Sequence, residues 1–346
     1  MQRGDFMTVR EIAKRAGVAA STVSLVLNNK PGVRKETREK VAAMLVENGY
    51  TIRKNESKPS AHGEVRFIRY LSRTHSRERN EDFFVGVLNG AEQRAHQSGC
   101  KFGLSSATPE QLPSLLHTLQ GQSDLLGVVF LASELSDEQI PHLQSFSRPI
   151  VMVDMPLQLE HHPFNGINTD NSDGVFRAVQ RLYAMGHRSI GFLRGETEIG
   201  GLYSRYVAYQ NAMQALGLTI HKEYVLRIDP QYEIAVREMG EYLKDHPALP
   251  TAFVGANDII AAGCVRALQQ AGYRVPEDVS IIGFDDGAMS TFISPPLTTL
   301  RINRARLGSL AVERLINLGA VPDDVVIKST VSVMLIERES ARSLTE

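Results

Sequence analysis

At 346 residues, with 42% hydrophobic and 22% charged residues, the chain exceeds one ordinary core and has the make-up of a globular protein of two or three domains. No apolar run is long enough to span a bilayer and the N-terminus lacks a signal-peptide pattern, so a cytoplasmic protein without a membrane partner is expected. The formal charge of −1 hides an asymmetry: residues 1–58 hold 12 Lys and Arg against 6 Asp and Glu, which leaves −7 on the remainder.

In chain order, Val9, Ile12, Ala13 and Ala16 fall on one helical face, and Gly17 ends that helix. A second short helix follows over 18–28, and a third over 35–48, with Val41, Met44, Leu45 and Asn48 at helical spacing and Gly49 at its end. Helix, tight glycine turn and short helix make a helix-turn-helix, which lays its second helix in the DNA major groove. Any small three-helix unit shows such spacing. Here, however, the second helix offers small polar groups, Ser21, Thr22 and Ser24, and a basic head on an acidic body is the footprint of a chain that meets phosphates at one end.

Residues 1–57 therefore read as an all-α DNA-binding headpiece and 58–64 as a polar linker containing Pro59 and Gly63. From 65 to 346, apolar runs at 65–71, 125–131, 150–153, 190–193, 252–254 and 281–284 alternate with helical patterns near 84–98, 136–147, 172–185, 203–216, 232–244 and 258–271. Strand alternating with helix predicts an α/β core of parallel sheets buried on both faces, long enough for two. Ligands of such sheets bind off the carboxyl ends of the strands. Asp154, Asn257, Asp258 and Asp285 each follow a strand run. An Asp after a strand is also a common helix cap, the reading preferred for Asp258, while Asp286 reads as structural. Arg66 and Arg69 interrupt an apolar strand, as edge salt bridges or as groups reaching the ligand. Cys100 and Cys264 read as buried thiols, and His161-His162, with no third ligand at a convincing spacing, as a surface loop; no metal or cofactor is expected.

The pattern Thr8-Val9-Arg10-Glu11-Ile12-Ala13, Ala16-Gly17-Val18, Thr22-Val23-Ser24, Val26-Leu27-Asn28, Thr37-Arg38-Glu39-Lys40-Val41 and Gly49-Tyr50 resembles the headpiece of the lactose/galactose repressor family. The likeness continues through Asp170-Asn171, 186–190, Ala256-Asn257-Asp258, 279–286 and 295–300. It implies two α/β lobes like those of periplasmic sugar-binding proteins, with three chain crossings, near 65–164 plus 293–325 and 165–292 plus 326–346. It also implies a homodimeric transcription regulator, a repressor, that binds double-stranded operator DNA under control of a small effector, a carbohydrate. Base-reading positions are filled here by Ala20, Ser21 and Leu25, with Thr8, Thr22, Ser24 and Asn28 also facing DNA. Leu25 stands where the family commonly has an Arg. Effector positions are matched by Arg205, Asp285 and Asn257, with Phe83 and Phe84 at the lip; Asp154, from its place after a strand run, is a further effector-binding candidate, and Tyr232, Tyr203 and Tyr206 are weaker wall candidates. Two departures stand out. Ala19 and Arg34 replace the usual Ser caps, and Pro59 occupies the place of the family's groove-wedging Leu. An extended linker touching phosphates through Arg53, Lys54 and Lys58 is therefore expected instead of a hinge helix.

The rival classes are an enzyme and a free-standing sugar-binding protein on the same two-lobed fold. The first lacks a Gly-x-Ser-x-Gly elbow, a Walker loop and an acid-base pair at recognisable spacing, and the second would not carry the basic head.

Overall fold

The computed structural model describes residues 7–28, 30, 32–48, 50, 63–72, 81–195, 200–245, 248–320 and 325–344. The chain divides into two compact units between residues 60 and 61. The linker residues Arg53, Lys54, Lys58 and Pro59, and the cap at Gly49, lie outside the described residues.

The first unit holds α1 (Val9–Ala16), α2 (Ala20–Leu27) and α3 (Lys35–Glu47). Thr8 starts α1 with a capping box: its hydroxyl takes the Glu11 N–H while the Glu11 carboxylate takes the Thr8 N–H at 2.7 Å. Hydrogen bonds from the Thr8 N–H and hydroxyl hold the Glu11 carboxyl below its usual range. Gly17 closes α1 at φ 73°, a left-handed conformation that glycine adopts without penalty. Ile12, Val23, Val26, Val41 and Leu45 fill the small core. Ala19 and Arg34 sit at the N-caps of α2 and α3 and neither side chain makes a capping bond. Ala19→Ser is expected to raise the headpiece melting temperature by supplying that acceptor, worth about 0.5–2 kcal/mol. An unchanged transition would mean that another group already serves the free N–H groups of α2.

The second unit carries β1 (Glu64–Tyr70), α4 (Glu81–Gln97), β2 (Lys101–Ala107), α5 (Leu112–Gln120), β3 (Leu125–Leu131), α6 (Ile140–Gln144), β4 (Ile150–Val153) and β5 (Asn165–Thr169). It continues through α7 (Asn171–Ala184), β6 (Ile190–Gly195), α8 (Gly200–Ala215), β7 (Val225–Ile228), α9 (Tyr232–Asp245), β8 (Ala252–Gly255) and α10 (Asp258–Gln270). The last elements are β9 (Ser280–Asp285), α11 (Met289–Phe292), β10 (Thr298–Arg301), α12 (Arg304–Ala320), β11 (Lys328–Val331) and β12 (Met334–Ile336). Two six-stranded sheets result, ordered β11-β5-β4-β3-β1-β2 and β12-β10-β9-β8-β6-β7, parallel except where β12 runs against β10. All six apolar runs expected as strands are strands. The central ones are buried throughout, such as β4, β6, β8 and β9, as a sheet covered on both faces requires.

The chain passes between the sheets three times, but not where the sequence suggested. β5 belongs to the first sheet, pairing with β4 and β11, so the first crossing follows residue 169 and not 164. β10 joins β9 in the second sheet and β11 returns to the first, whereas the sequence placed 293–325 with lobe 1 and 326–346 with lobe 2. The runs Asn165–Thr169 and Lys328–Val331 are short and polar, and their partners lie far away in sequence, so local patterning does not assign them to a sheet. Helix α12, absent from the expected elements, packs on α4 at close range: a Cβ on Gly90 would lie 2.0 Å from the Ala305 carbonyl, and one on Gly308 2.0 Å from that of Val87.

Candidate functional site

In the first unit, α2 presents Ala20, Ser21 and Ser24 to solvent, with Thr22 and Leu25 half-buried, while Val23 and Val26 turn inward. The apolar pair is what orients the helix, leaving a face of small side chains that a base edge can approach closely. Asn28 donates to the Ser24 carbonyl at 2.9 Å and so fastens the end of α2. Lys40 reaches the Ala16 carbonyl at 3.2 Å, a cation placed at the negative end of α1. The Thr8 hydroxyl is already committed to its capping box.

In the second unit, charged groups converge at the carboxyl ends of β4, β8 and β9, where the two lobes meet. Arg205, on the buried face of α8, has its guanidinium 3.1 Å from the Asp285 carboxylate. It also donates to the Asn171 amide oxygen at 2.9 Å and to the Ala256 carbonyl at 2.6 Å, and its Cζ sits over the Phe284 ring, 3.8 Å from the centroid. Both ion-pair partners are under a tenth exposed. Burial pushes the Asp285 carboxyl up, against the opposing pull of Arg205 and Arg304. Asp154 faces the same charge: the Ser133 hydroxyl donates to it at 2.6 Å, and burial, outweighing that bond and Arg205, raises it too.

The backbone marks the same place. Among the described residues, positive φ outside glycine occurs only at Asp154 (57°), Asp285 (117°) and Asp286 (51°), all at the ends of β4 and β9. Such conformations cost roughly 1–3 kcal/mol each and persist where the surroundings enforce them, as they do at ligand clamps. Contacts from the first lobe close in over the end of β9. Asp82 accepts the Ala288 N–H at 3.3 Å, and Arg304 donates to the Asp285 carbonyl at 2.6 Å.

Several residues occupy roles other than those expected. The cap of α10 is Asn257, whose side chain accepts the Ile260 N–H at 2.8 Å, and not Asp258. Asp258 is the more buried of the two and accepts from Thr299 at 2.5 Å and from the Gly287 N–H at 2.8 Å. Asp286 is structural, held by Arg301 and Arg338 at 2.6 Å each. Burial raises it, but the two guanidinium groups together outweigh that and hold it low. Phe83 and Phe84 lie in the core instead of at an open lip, because α4 turns both inward; Phe84 stacks edge-on against Phe67 and beneath the Arg69 guanidinium. Arg66 pairs with Glu64, and Arg69 with Glu81 at 2.8 Å. Tyr232 is half-buried at the start of α9 and takes no part in the bonds that converge on Arg205. Tyr206 packs on Phe192 and under Arg194. Of the two other side chains that hold this geometry, Asn171 stood in the family pattern without an assigned site role, and Ser133, two residues past β3, was not singled out from the sequence. The two cysteines are buried and unpaired. His161 and His162 gain a third neighbour in Asp137, 3.1 Å from His162, on the exposed surface.

Asp258 carries a pH prediction. Burial first, and the neighbouring Asp285 charge second, push its carboxyl up to about 8, against the hydrogen bonds of Thr299 and Gly287. A folded-state value raised above the unfolded one means the native core binds the extra proton. The stabilisation is complete below the unfolded value of 3.8 and is lost as pH rises through about 8. Asp154 and Asp285 act in the same sense. The melting temperature of the core should fall by several degrees, about 5 °C, between roughly pH 5 and 8, and Asp258→Asn should flatten that slope. An identical slope in the variant would remove Asp258 as its source.

Residues 8–52 match the model of bacterial regulatory proteins of the lacI family, and residues 179–341 match that of a periplasmic binding protein-like domain. Over 349 residues, covering 97% of this chain and 99% of the relative, the chain is 30% identical to the HTH-type transcriptional repressor PurR of Haemophilus influenzae strain PittEE. The chain belongs to the lacI family of bacterial regulatory proteins. It is a DNA-binding transcription regulator; its relatives are repressors, not enzymes. The same regulator is 29% identical over 347 residues to the ribose operon repressor of Haemophilus influenzae, covering 97% of this chain and 99% of the relative. Among solved structures, the transcriptional regulator CelR in complex with cellobiose matches at a TM-score of 0.70 and 26% identity, over 96% of this chain and 99% of that one. The lac repressor dimer bound to operator and the anti-inducer ONPF shares the fold at a TM-score of 0.68 and 24% identity, over 97% and 99% of the two chains. No helix among the described residues is long and apolar enough to cross a membrane.

Proposed function

We propose that the chain is a cytoplasmic repressor that binds a pseudo-palindromic operator as a homodimer and releases or tightens on it when a carbohydrate enters between the lobes. The observation that carries this reading is the buried Arg205–Asp285 pair with Asp154 beside it, set at strained strand ends where the two lobes meet. A fork of guanidinium donors next to planar carboxylates can hold vicinal hydroxyls two at a time. The Phe284 ring beneath Arg205 adds a cation–π contact that helps hold the fork in place. CelR, similar over nearly the whole chain, was solved with cellobiose, and the ribose operon repressor is a further relative, which supports a sugar. A ligand preferring one lobe arrangement shifts DNA affinity by ordinary linkage if the operator prefers the other. Two-fold dimers match two half-sites.

A panel of mono- and disaccharides tests the site. At least one should raise the melting temperature of the core and change operator affinity. A flat response across the panel, in protein that binds its operator, would remove the carbohydrate reading.

Base reading rests on α2. Leu25 offers only apolar contact, for instance to a thymine methyl, where an Arg would hydrogen-bond guanine. In binding-site selection, Leu25→Arg is expected to shift preference toward guanine at one position of each half-site, by roughly 1–3 kcal/mol. An unchanged selected sequence would place that residue off the bases.

A further inference from the structure

Among the described residues, three metal-ligating side chains converge on the first lobe: Asp137, His161 and His162, with one ligand atom of each within 4.8 Å of the others. Asp137 opens a short 3-10 turn (Asp137–Gln139) after β3, and the two histidines lie in the connection from β4 to β5. The histidine pair alone reads as a surface loop for want of a third ligand; Asp137, 25 positions before His162, supplies it only in the fold. Successive side chains of an extended chain point to opposite faces, which would separate neighbouring histidines. Here the Leu159, Glu160 and His162 N–H groups donate to the carbonyls of Pro156, Leu157 and Leu159 and wind the backbone tightly. The two imidazoles come to lie side by side, with ring centroids 4.0 Å apart.

The hydrogen bonds prepare these groups as ligands. His161 Nδ1 lies 2.8 Å from the Gln158 carbonyl, which can only accept, so Nδ1 carries the proton and Nε2 keeps the lone pair. A backbone carbonyl on the far nitrogen is the support that fixes the ring of a ligating histidine. His162 Nε2 stands 3.1 Å from an Asp137 carboxylate oxygen. Two ligands at about 2.0–2.1 Å from a tetrahedral ion are about 3.3 Å apart, so this pair already has the required spacing. His162 is the anchored member, its side chain 18% exposed against 70% for Asp137. The exposed Asp137 and His161 close the remaining distance by side-chain rotation.

We propose that Asp137, His161 and His162 bind a divalent transition ion of the zinc class, with water in the fourth position. Two imidazoles and a carboxylate suit zinc, whereas Mg2+ and Ca2+ take oxygen ligands. The ion takes the place of the proton between His162 Nε2 and Asp137, and that proton leaves to solvent. The loop after β3 and the loop after β4 are thereby stapled together. The same two loops meet once more, where the Ser133 hydroxyl donates to Asp154 at 2.6 Å, so the ion adds a second tie between them. Binding to the native fold alone stabilises it by mass action.

Isothermal titration of the full chain, free of any affinity tag and stripped with a chelator, with Zn2+ alone tests the site; Mg2+ and Ca2+ are the counterparts. The expected result is saturable uptake of Zn2+ and none of the other two at the same concentrations. His161→Ala, His162→Ala and Asp137→Asn should each weaken it by roughly tenfold or more. His142→Ala, at an exposed histidine of α6, should leave it unchanged. Zn2+ should also raise the melting temperature of the wild-type core and not that of His161→Ala. Because His161 and Asp137 are exposed, their variants carry the test even if His162→Ala fails to fold. The absence of saturable uptake overturns the site. So does uptake of equal strength in His161→Ala and Asp137→Asn, or a loss as large in His142→Ala, either of which would place the ion on other histidines. Equal binding of Mg2+ or Ca2+ overturns the zinc class, and bound Zn2+ with no rise in melting temperature overturns the staple. None of these readouts uses DNA or a sugar, so failure here leaves the repressor reading standing.

Discussion

Arg205→Ala is expected to cost the core about 3–5 kcal/mol and to abolish the response to effector, because it leaves Asp285 buried without its counter-ion. The guanidinium joins four elements: α7 through Asn171, β8 through the Ala256 carbonyl that follows it, and β9 through Asp285 and Phe284, all from α8. Truncation therefore removes three hydrogen-bonding connections and a stacked surface at once. The melting temperature of the variant should fall sharply. At temperatures where it remains folded, operator binding should persist and cease to depend on effector. Asp285→Asn separates the chemistry from the folding cost. It keeps the side-chain shape and one acceptor, yet loses the charge that opposes Arg205. A folded Asp285→Asn protein that responds at wild-type effector concentrations would place the effector elsewhere.

Gly308→Ala is expected to destabilise the second unit by about 3 kcal/mol, the upper part of the range for overpacking. In an ordinary helix interior the same change stabilises by nearly 1 kcal/mol, so the sign is diagnostic. The added methyl would sit 2.0 Å from the Val87 carbonyl and 2.7 Å from the Ala91 nitrogen of α4, backbone atoms that cannot rotate aside. Gly90→Ala meets the Ala305 backbone in the same way from the other helix, at 2.0 Å from its carbonyl. Either substitution forces α4 and α12 apart, and one displacement relieves both. The double variant should therefore lose less than the sum of the singles. Chemical denaturation measures all three; unchanged midpoints for the singles would mean that the helices separate at little cost.

The headpiece was legible in the sequence to within a residue or two at each helix. Its signals are local: a capping box from Thr8 to Glu11, a left-handed glycine at 17 and apolar spacing within each short helix. The absence of caps at Ala19 and Arg34 was likewise readable, since a capping group must come from the residue itself. The six central strands showed as apolar runs because burial on both faces demands them. Edge strands such as β2 and β11 did not, since polar residues on one open side break the run.

Of the site, Arg205 and Asp285 were nameable from sequence, whereas the contact between them, 80 positions apart, exists only once α8 and β9 are brought together. The same holds for Asn171, 34 positions from Arg205, and for Asp258, which looked like a helix cap until Asn257 took that role and Thr299, 41 positions on, claimed its carboxylate. Phe83 and Phe84 failed as an open lip because a helix start tells nothing of which way its first turn is rotated against the sheet. The crossings between lobes and the glycine contact of α4 with α12 belong to tertiary structure for one reason. Periodicity and caps report forces between neighbours in sequence, while pairing, close approach and enclosed space depend on which distant segments pack together.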